Sequence, residues 1–302
     1  MTAPDENTKA GFASIIGLPN AGKSTLLNAL VGSKISIVSR KVQTTRSRVL
    51  GIFIQDASQI ILIDTPGIFT PKKTMEKAMV SVAIDSMAEA DIVMHLVDAS
   101  VRDTAEKNHE LARQLPKDKD CVLLLNKIDA VKKEELLALT ACLNEQYPYA
   151  RTFMISALKN KGLDDLRSYL AQSMPAGPWL FPEDQLTDMP LRMLAAEITR
   201  EKIFERLHQE LPYAIFVETQ GWENFDNGSI KIDQTVYVER DSQKGIVLGK
   251  GGRTVKEIGS AVRAELENML ETRVHLKIFV KAQPNWQERS ENYRLMGLDF
   301  PA

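Results

Sequence analysis

The first half of the chain alternates short apolar runs with amphipathic stretches. Six apolar runs predict strands, at residues 12–16, 49–54, 59–64, 92–98, 121–126 and 153–156. Five helical patterns lie among them, at residues 22–31, 74–89, 103–115, 132–147 and 163–171. The second and third strands are close enough to pair as a hairpin. Near-continuous apolar strands between helices are typical of an α/β domain, a mostly parallel sheet with helices on both faces.

The alternation stops after residue 171. Pro175, Gly177, Pro178 and Pro182 fall within eight residues, and proline cannot continue a helix or a central strand. We therefore place the first domain at residues 1–175, a linker at 176–188 and a second domain at 189–302. Because the linker also holds aromatic residues, we expect it to be docked rather than free.

The second half has a different order of elements. A long helix is predicted at residues 191–209, followed by strands at 214–219 and 229–239. A glycine-rich loop at 249–252 then precedes a helix, a strand and a last helix, at residues 254–270, 274–280 and 284–295. This order predicts a smaller, separate α+β domain.

Composition limits the partners and the compartment. The 302 residues are 44% hydrophobic and 26% charged, so the chain should bury a real core. The net charge of −2 means that any nucleic-acid surface must be a local patch. No apolar run approaches the ~20 residues of a membrane span, and the polar start predicts no secretory signal. We expect a cytoplasmic protein, with Cys121 and Cys142 as buried thiols.

One segment fits the phosphate-binding pattern G-x-x-x-x-G-K-[ST] between a strand and a helix. Its residues are Gly17, Leu18, Pro19, Asn20, Ala21, Gly22, Lys23 and Ser24. The next residue, Thr25, is also predicted to contact the nucleotide. Glycines let backbone N–H groups face phosphates, and the helix presents its positive N-terminus. Lys23 could then reach the β- and γ-phosphates and Ser24 could bind Mg²⁺. The alternative is a glycine-rich turn that binds nothing.

A second segment ends a predicted strand with Asp64, Thr65, Pro66 and Gly67. Asp64 could hold Mg²⁺, through water, and the Gly67 N–H could sense the γ-phosphate. By itself, this tetrapeptide is as well explained by a plain turn after a strand.

Two further segments suit a purine base. Asp129 could accept two hydrogen bonds from guanine N1 and N2, which adenine cannot offer, and so would set base choice. Asn126 would brace the loop and contact the base edge, while Lys127 would lie over the ring. Ser156 and Ala157 end the next strand, where the Ala157 N–H could reach guanine O6. The four segments together predict a guanine-nucleotide domain rather than an ATPase.

The loop between the first two segments contains Thr44 and Thr45. One of these threonines should bind Mg²⁺ and register the γ-phosphate; Thr45 is favoured, but the sequence does not settle the choice. An ordinary loop is the alternative. The candidate catalytic residues are Lys23, Thr45 and Gly67. The candidate metal ligands are Ser24, Thr45 and Asp64.

The residue after Gly67 is Ile68, where Ras-type GTPases carry a glutamine that orients water. An aliphatic side chain cannot do this, so we expect slow intrinsic hydrolysis that depends on phosphate positioning and Mg²⁺. Asn20 is a candidate to help hold K⁺ beside the phosphates, as in related GTPases with Pro-Asn-x-Gly-Lys-Ser. The equally weighted alternative is that Asn20 only stabilises the loop turn.

The glycine-rich loop of the second half resembles the signature of a type II KH domain. In that fold, a G-x-x-G loop between two helices lets the backbone approach the sugar-phosphate chain of RNA. Basic residues surround it, and Ile246, Val247 and Val255 would line an apolar groove for bases. The RNA-binding candidates are Lys244, Ile246, Gly249, Lys250, Gly251, Gly252, Arg253 and Lys256. A plain helical hairpin is the alternative.

A guanine-nucleotide domain followed by a type II KH domain resembles the bacterial Era GTPase family. The resemblance extends over about residues 11–281, including Gln43-Thr44-Thr45-Arg46 and the linker Gly177-Pro178-Trp179-Leu180-Phe181-Pro182-Glu183-Asp184-Gln185. It implies GTP or GDP and Mg²⁺ as ligands, binding near the 3′ end of 16S rRNA, and a role in maturation of the 30S subunit. It also implies peripheral contact with the inner membrane, and we expect a monomer. The alternative function is an RNA-binding adaptor whose nucleotide domain senses GTP without meaningful turnover.

Overall fold

The computed structural model describes residues 8–39, 41, 44–207 and 214–300. It divides into two compact units. The first contains the described residues up to Ser36 and those from Thr45 to Asp188. The second contains those from Ile37 to Thr44 and from Met189 onward. The segment predicted as a linker therefore lies within the first unit.

The first unit is built on a six-stranded sheet. Its strands are β1 (Lys9–Ile16), β2 (Val49–Gln55), β3 (Ser58–Asp64), β4 (Ile92–Asp98), β5 (Asp120–Asn126) and β6 (Arg151–Met154). They lie in the order β2-β3-β1-β4-β5-β6, with only the β2–β3 pair antiparallel. Every residue of β3 is buried, as expected for a strand covered on both faces.

Five helices connect and cover these strands. They are α1 (Lys23–Val31), α2 (Thr74–Glu89), α3 (Thr104–Gln114), α4 (Lys133–Gln146) and α5 (Leu163–Ser173). Ile16 and Val93 of the sheet pack with Met87 and Leu111 of α2 and α3. The parallel strands all point their carboxyl ends toward one edge of the sheet, which is where loops in α/β folds gather functional groups.

Residues 176–188 run along the edge strand β2. The Ile52 N–H donates a hydrogen bond of 2.8 Å to the Leu186 carbonyl. The Gln59 side chain bonds the Phe181 backbone in both directions, at 2.8 and 3.0 Å, and Trp179 Nε1 donates to the Ala57 carbonyl at 3.1 Å. This segment is docked, and it covers backbone groups that an edge strand would otherwise expose.

The second unit has a three-stranded sheet in the order β7-β8-β9. β7 (Ile215–Asn224) is antiparallel to β8 (Ile230–Val238), and β9 (Val274–Ala282) is parallel to β8. Its helices are α6 (Leu191–Arg206), α7 (Asp241–Leu248), α8 (Arg253–Leu270) and α9 (Ser290–Leu295). Near the C-terminal end, the buried Trp286 stacks on Phe216 of β7 with 5.7 Å between ring centroids.

Several sequence expectations about the elements are wrong in detail. The helix predicted at 191–209 ends at Arg206 because Leu207 is extended; residues 208 and 209 lie outside the described part of the chain. The last predicted helix is split into a 3₁₀ turn at Trp286–Glu288 and α9, because Arg289 is extended. The strand predicted at 153–156 is shifted to Arg151–Met154.

The two cysteines are both free, but only Cys121 is buried. Cys142 is exposed because it lies on the outer side of α4, next to the buried Leu143. The expectation of two buried thiols was therefore wrong for Cys142. Among the residues that the structure describes, none of the helices has both the length and the apolar character of a membrane span.

Candidate functional site

The loop between β1 and α1 has a backbone that requires glycine at two positions. Gly22 adopts a φ of 102°, and a Cβ there would lie 2.5 Å from Asn126 Nδ2. A Cβ on Gly17 would lie 2.4 Å from the Leu96 carbonyl oxygen. Because both glycines are needed for this close packing, the loop wraps tightly around the N-terminus of α1, where free N–H groups and the helix dipole favour an anion.

Lys23 places a buried ammonium group in this loop. The side chain is only 7% exposed, and its Nζ donates hydrogen bonds of 3.2 Å to the Gly17 and Leu18 carbonyls. Burial lowers its pKa from 10.5 to about 8, and the charge of Asp64 only partly opposes this. The cation is thus desolvated, and within the described part of the chain its hydrogen bonds go to neutral carbonyls. A bound phosphate would supply the missing negative charge.

Asp64, at the end of β3, gathers hydroxyl groups around one of its oxygens. Oδ2 accepts from Ser24 at 2.7 Å, Ser36 at 3.1 Å and Thr45 at 3.3 Å. Ser24 and Thr45 are themselves 2.8 Å apart. Burial raises the pKa of Asp64, and its Oδ1 is buried with no hydrogen-bond partner among the described residues. One carboxylate with an orphaned oxygen beside two hydroxyls fits the oxygen ligands that Mg²⁺ takes.

The two adjacent threonines have different surroundings. Thr45 belongs to the first unit and joins Ser24 and Asp64. Thr44 belongs to the second unit, and its hydroxyl donates to the Lys41 carbonyl at 2.7 Å. The geometry therefore favours Thr45 as the metal ligand. Gln43 of the same motif lies outside the described residues.

The segment after Asp64 returns to the phosphate loop. A Cβ on Gly67 would be 2.8 Å from the Pro19 nitrogen, and the Ile68 N–H donates to the Gly17 carbonyl at 3.2 Å. The Ile68 side chain is buried with Met87 and other core residues. This packing explains why an aliphatic residue is present at position 68 and leaves it no part in orienting water.

The remaining predicted residues of these two segments have mostly structural surroundings. Thr65 is buried and donates to the Ile15 carbonyl at 3.2 Å. Pro66 and Ala21 are buried, while Thr25 is half-buried in the first turn of α1. Asn20 is exposed with a left-handed φ of 64°, a conformation that asparagine tolerates well. This backbone conformation fits the alternative in which Asn20 only stabilises the loop turn, and it does not involve the Asn20 side chain.

At the end of β5, Asn126 ties two loops together. Its Nδ2 donates to the Ala21 carbonyl at 2.9 Å, and its Oδ1 accepts from the Ala157 N–H at 3.0 Å. Lys127 adopts a left-handed φ of 64° and its Nζ lies 3.0 Å from the Asn20 carbonyl and 2.5 Å from Asp98 Oδ2. Asn126 thus has the bracing geometry predicted for it.

Asp129 follows in an exposed position. Its Oδ1 accepts a hydrogen bond of 2.5 Å from Ser156, which lowers the pKa of the carboxyl. The group is therefore ionised at neutral pH and can accept further hydrogen bonds. The Ala157 N–H, predicted to reach guanine O6, already donates to Asn126, so that contact would have to share a single donor.

In the second unit, the loop between α7 and α8 contains Gly249, Gly251 and Gly252, all with positive φ. A Cβ on Gly249 would lie 2.1 Å from Thr254 Oγ1, whereas one on Gly251 or Gly252 would meet nothing within 4 Å. Gly249 is thus required by the fold itself. The other two leave open space above the backbone, which a ligand chain could approach.

Basic side chains surround this loop. Lys250, Arg253 and Lys256 are exposed, and Lys244 is half-buried. Arg253 also donates to Glu257 Oε1 at 3.0 Å, so its charge is partly compensated.

Two residues predicted to line an apolar groove have different surroundings. Ile246 is 55% exposed, as a groove residue should be, but Val247 is fully buried in the core and cannot line a groove.

A cavity of ≈ 290 Å³ lies between α8 and β9. Sequence reasoning included Val255 and Lys256 from its lining but missed five residues: Gly259, Ser260, Arg263, Leu276 and Ile278. Two signals could have revealed them. Positions 256, 259, 260 and 263 share one face of a helix, and positions 276 and 278 alternate along a strand.

The sequence matches two protein families. Residues 12–127 match the 50S ribosome-binding GTPase family, and residues 210–287 match the KH domain family. The first match lies in the first unit except for its residues between Ile37 and Thr44, and the second match lies in the second unit. The fold is therefore a P-loop GTPase domain with a mostly parallel sheet, followed by a C-terminal KH domain.

Relatives match along nearly the whole chain. GTPase Era of Mesorhizobium japonicum is 54% identical over 300 residues, covering 99% of this chain and 97% of the relative. GTPase Era of Brucella suis is 54% identical over 296 residues, covering 97% and 94%.

Two solved Era structures each superpose with a TM-score of 0.89 at 40% identity, covering 96% of this chain and 99% of theirs. One is Era in complex with MgGDPNP and nucleotides 1506–1542 of 16S ribosomal RNA. The other is an Aquifex aeolicus Era variant bound to GDP and AlF₄⁻. With relatives above half identity over nearly the whole length, the chain belongs to the Era family of GTPases.

Proposed function

We propose that this protein is a GTP-hydrolysing switch that binds 16S rRNA near its 3′ end and acts in maturation of the 30S subunit. The observation that carries the nucleotide half is the buried Lys23 ammonium, desolvated and without an ion-pair partner within 4 Å among the described residues. The Era complex with MgGDPNP and a 16S rRNA fragment supports the whole assignment.

At the phosphate end, Lys23 would bind the β- and γ-phosphates beside the N–H groups of the loop 17–24. Ser24 and Thr45 would hold Mg²⁺ directly, and Asp64 would hold it through water by its orphaned Oδ1. A bound Mg²⁺ neutralises charge that builds on the phosphate oxygens. The Gly67 N–H, held beside Pro19, would register the γ-phosphate.

At the base end, the ionised Asp129 would accept from guanine N1 and N2, and Ser156 holds the carboxylate in place through one oxygen. Lys127, fixed between Asn20 and Asp98, would cover one face of the ring. A bound base would cover this exposed carboxylate, and a covered acceptor left without its donors is costly, so this arrangement supports selection of guanine over adenine.

Hydrolysis in this site would rest on positioning alone. The catalytic set of Lys23, Thr45 and Gly67 binds and orients phosphate, but none of these groups polarises water, and Ile68 is turned into the core. We therefore infer a slow intrinsic rate. K⁺ held with the help of Asn20 would add a positive charge beside the phosphates.

In the second unit, the open backbone at Gly251 and Gly252 would approach the sugar-phosphate chain, with Lys244, Lys250 and Lys256 neutralising phosphates. The α8–β9 cavity would receive unstacked bases.

The buried position of Ile68 also favours the second candidate function, an adaptor that senses GTP without turnover. Peripheral contact with the inner membrane stays a prediction, which flotation with vesicles of inner-membrane lipid would test.

The decisive experiment replaces Lys250 and Gly251 together by aspartate. Two carboxylates at the closest approach to the phosphate chain should abolish binding of the 16S rRNA fragment 1506–1542, while basal GTP hydrolysis stays near the wild-type rate. Gly32→Asp is the matched control, because Gly32 lies in the first unit and also has a positive φ, of 79°, with nothing within 4 Å among the described residues.

Two assays are read together, fluorescence binding of labelled RNA and release of phosphate with and without that RNA. If the double variant bound the fragment as tightly as the control, the loop 249–252 would be only a turn. If wild-type protein released no phosphate under either condition, the adaptor function would replace the enzyme.

A further inference from the structure

We propose that the outer face of strand β9 is a second RNA-binding surface, separate from the loop and cavity assigned above. It consists of His275, Lys277, Phe279 and Lys281, together with Phe225 of the β7–β8 hairpin, and is called here the outer β9 face. The inference rests on the proposed RNA-binding function of the second unit, which it extends to a longer stretch of single strand.

The alternation of β9 separates two sets of side chains. Leu276 and Ile278 line the cavity beside α8. Because successive side chains point to opposite faces of a strand, His275, Lys277, Phe279 and Lys281 lie on the other face of the sheet. All four are exposed. Among the described strands, β9 pairs with β8 alone and is therefore an edge strand, so a chain leaving the cavity could continue around this edge.

The outer β9 face carries aromatic rings suited to base stacking. The Phe279 ring is 56% exposed although it lies in the middle of a strand. At the β7–β8 hairpin, Phe225 is 37% exposed and contacts the His275 ring at 6.0 Å in a T-shaped arrangement. The two aromatic positions are four residues apart along β9, about 13 Å at 3.3 Å per residue.

Free cations flank the exposed ring. Lys277 and Lys281 lie about 7 Å to either side of Phe279 along the strand. Neither forms an ion pair within 4 Å, as far as the described chain extends. An aromatic ring between two unpaired ammonium groups offers one stacked base and its neighbouring phosphates a partner each.

The carboxylates on the same face of the sheet belong to the neighbouring strands β7 and β8. Glu218 accepts from Tyr237 at 2.9 Å. Glu223 and Asp233 lie 3.2 and 3.6 Å from Lys231. The acids therefore sit on β7 and β8, where Glu223 and Asp233 share one lysine and Asp233 is the register neighbour of Lys277. On this face, β9 itself carries basic and aromatic side chains and no acid. This distribution predicts that an RNA strand runs along β9 rather than across the sheet.

The same features argue against a protein partner. Protein-binding patches are contiguous and apolar over several hundred square ångströms, whereas Phe279 is a single ring between charged side chains. Stacking and generic apolar contact can be separated experimentally, because tyrosine retains a π-face and leucine retains only apolar area.

The test compares full-length variants on two RNA probes. One is the 16S rRNA fragment 1506–1542, and the other is an oligonucleotide of about four nucleotides from its 3′ end, the length that a G-x-x-G loop clamps. Phe279→Leu should weaken binding of the long fragment by about 5-fold or more and leave the short one unchanged. Phe279→Tyr should bind both like wild type.

A second variant addresses the phosphates. Lys277→Ala with Lys281→Ala should reduce the slope of log affinity against log salt by about 1.4 for the long fragment, at ~0.7 for each single-strand phosphate. Lys117→Ala with Lys133→Ala, two exposed lysines of the first unit, is the matched control and should leave the slope unchanged.

Three outcomes would overturn the inference. The first is that Phe279→Leu binds the long fragment as tightly as wild type, and the second is that the leucine and tyrosine variants lose equal affinity. The third is that these variants lose binding to phosphatidylserine vesicles while their RNA binding is intact. The last would assign the face to lipid. The Lys250→Asp, Gly251→Asp variant separates this failure from failure of the proposed function, because it should lose the short probe as well.

Discussion

Replacing Lys23 by methionine should stabilise the nucleotide-free protein while abolishing GTP binding. Methionine has a similar length and no charge, so it can fill the same buried space without the cost of desolvating an ammonium. The two carbonyls that Lys23 contacts keep other partners. The Ile68 N–H donates to Gly17 at 3.2 Å and the Ala21 N–H donates to Leu18 at 3.3 Å.

The size of the effect follows from the pKa. Burial lowers the pKa of Lys23 from 10.5 to about 8, which corresponds to about 3 kcal/mol by which folding disfavours the charged form. This penalty is fully present below pH 8 and disappears as pH rises through 10.5. The variant should therefore be more stable than wild type by up to about 3 kcal/mol at pH 7, with the difference shrinking toward zero at high pH.

Because a two-unit protein need not unfold in one step, the measurement should report on the first unit alone. Hydrogen exchange of amides in β1 and β3, with nucleotide removed, gives the opening free energy of that sheet. Lys117→Met, at an exposed position, is the control and should change nothing. GTP should stabilise wild type and the control but not Lys23→Met.

A destabilised Lys23→Met protein at pH 7 would refute the reasoning. So would a stability difference that stays constant from pH 7 to 10, since the gain would then not come from the charge. In either case the buried ammonium would be compensated within the protein, and its readiness for phosphate would need another explanation.

Three other predictions concern base choice, cation dependence and acid stability. Asp129→Asn should shift binding from guanine toward xanthine nucleotides, because an amide suits a carbonyl at position 2; unchanged GTP affinity with no gain for XTP in a competition assay would contradict the assignment. GTP hydrolysis should be faster in K⁺ than in Na⁺ at equal ionic strength. Equal rates, with Asn20→Ala like wild type, would rule out the cation role of Asn20. Burial lowers the pKa of His95 to about 4, so stability should be lost as pH falls from about 6.5 to 4, by about 3 kcal/mol. Urea unfolding of His95→Gln should lack this component, and an identical pH profile would contradict it.

The sequence was most informative where one physical requirement dominates. Fully buried strands need unbroken apolar runs, so β4 was predicted with its observed bounds, Ile92–Asp98. The phosphate loop was equally readable, because its glycines are forced by contacts under 3 Å and no other residue would serve.

Errors arose where several residue types satisfy the same local pattern. Residues 284–295 have helical spacing, but Asn285 has a φ of 56° and Arg289 is extended, so only a turn and a short helix form. Val247 has the same apolar character as Ile246, yet only the latter is exposed. Which side of a short helix faces the core depends on tertiary neighbours, which a single sequence does not specify.

The loop 249–252 shows why a motif does not separate folding from binding. In sequence, Gly249 and Gly251 are two glycines of one short loop, and nothing in the sequence distinguishes their roles. In the structure, a side chain on Gly249 would collide with Thr254, whereas one on Gly251 would meet open space. Folding therefore explains the first glycine completely. It leaves the second with only its positive φ of 61°, which asparagine could also adopt. A ligand chain that approaches position 251 from outside would meet bare backbone there, and this is the physical basis for placing RNA at the loop.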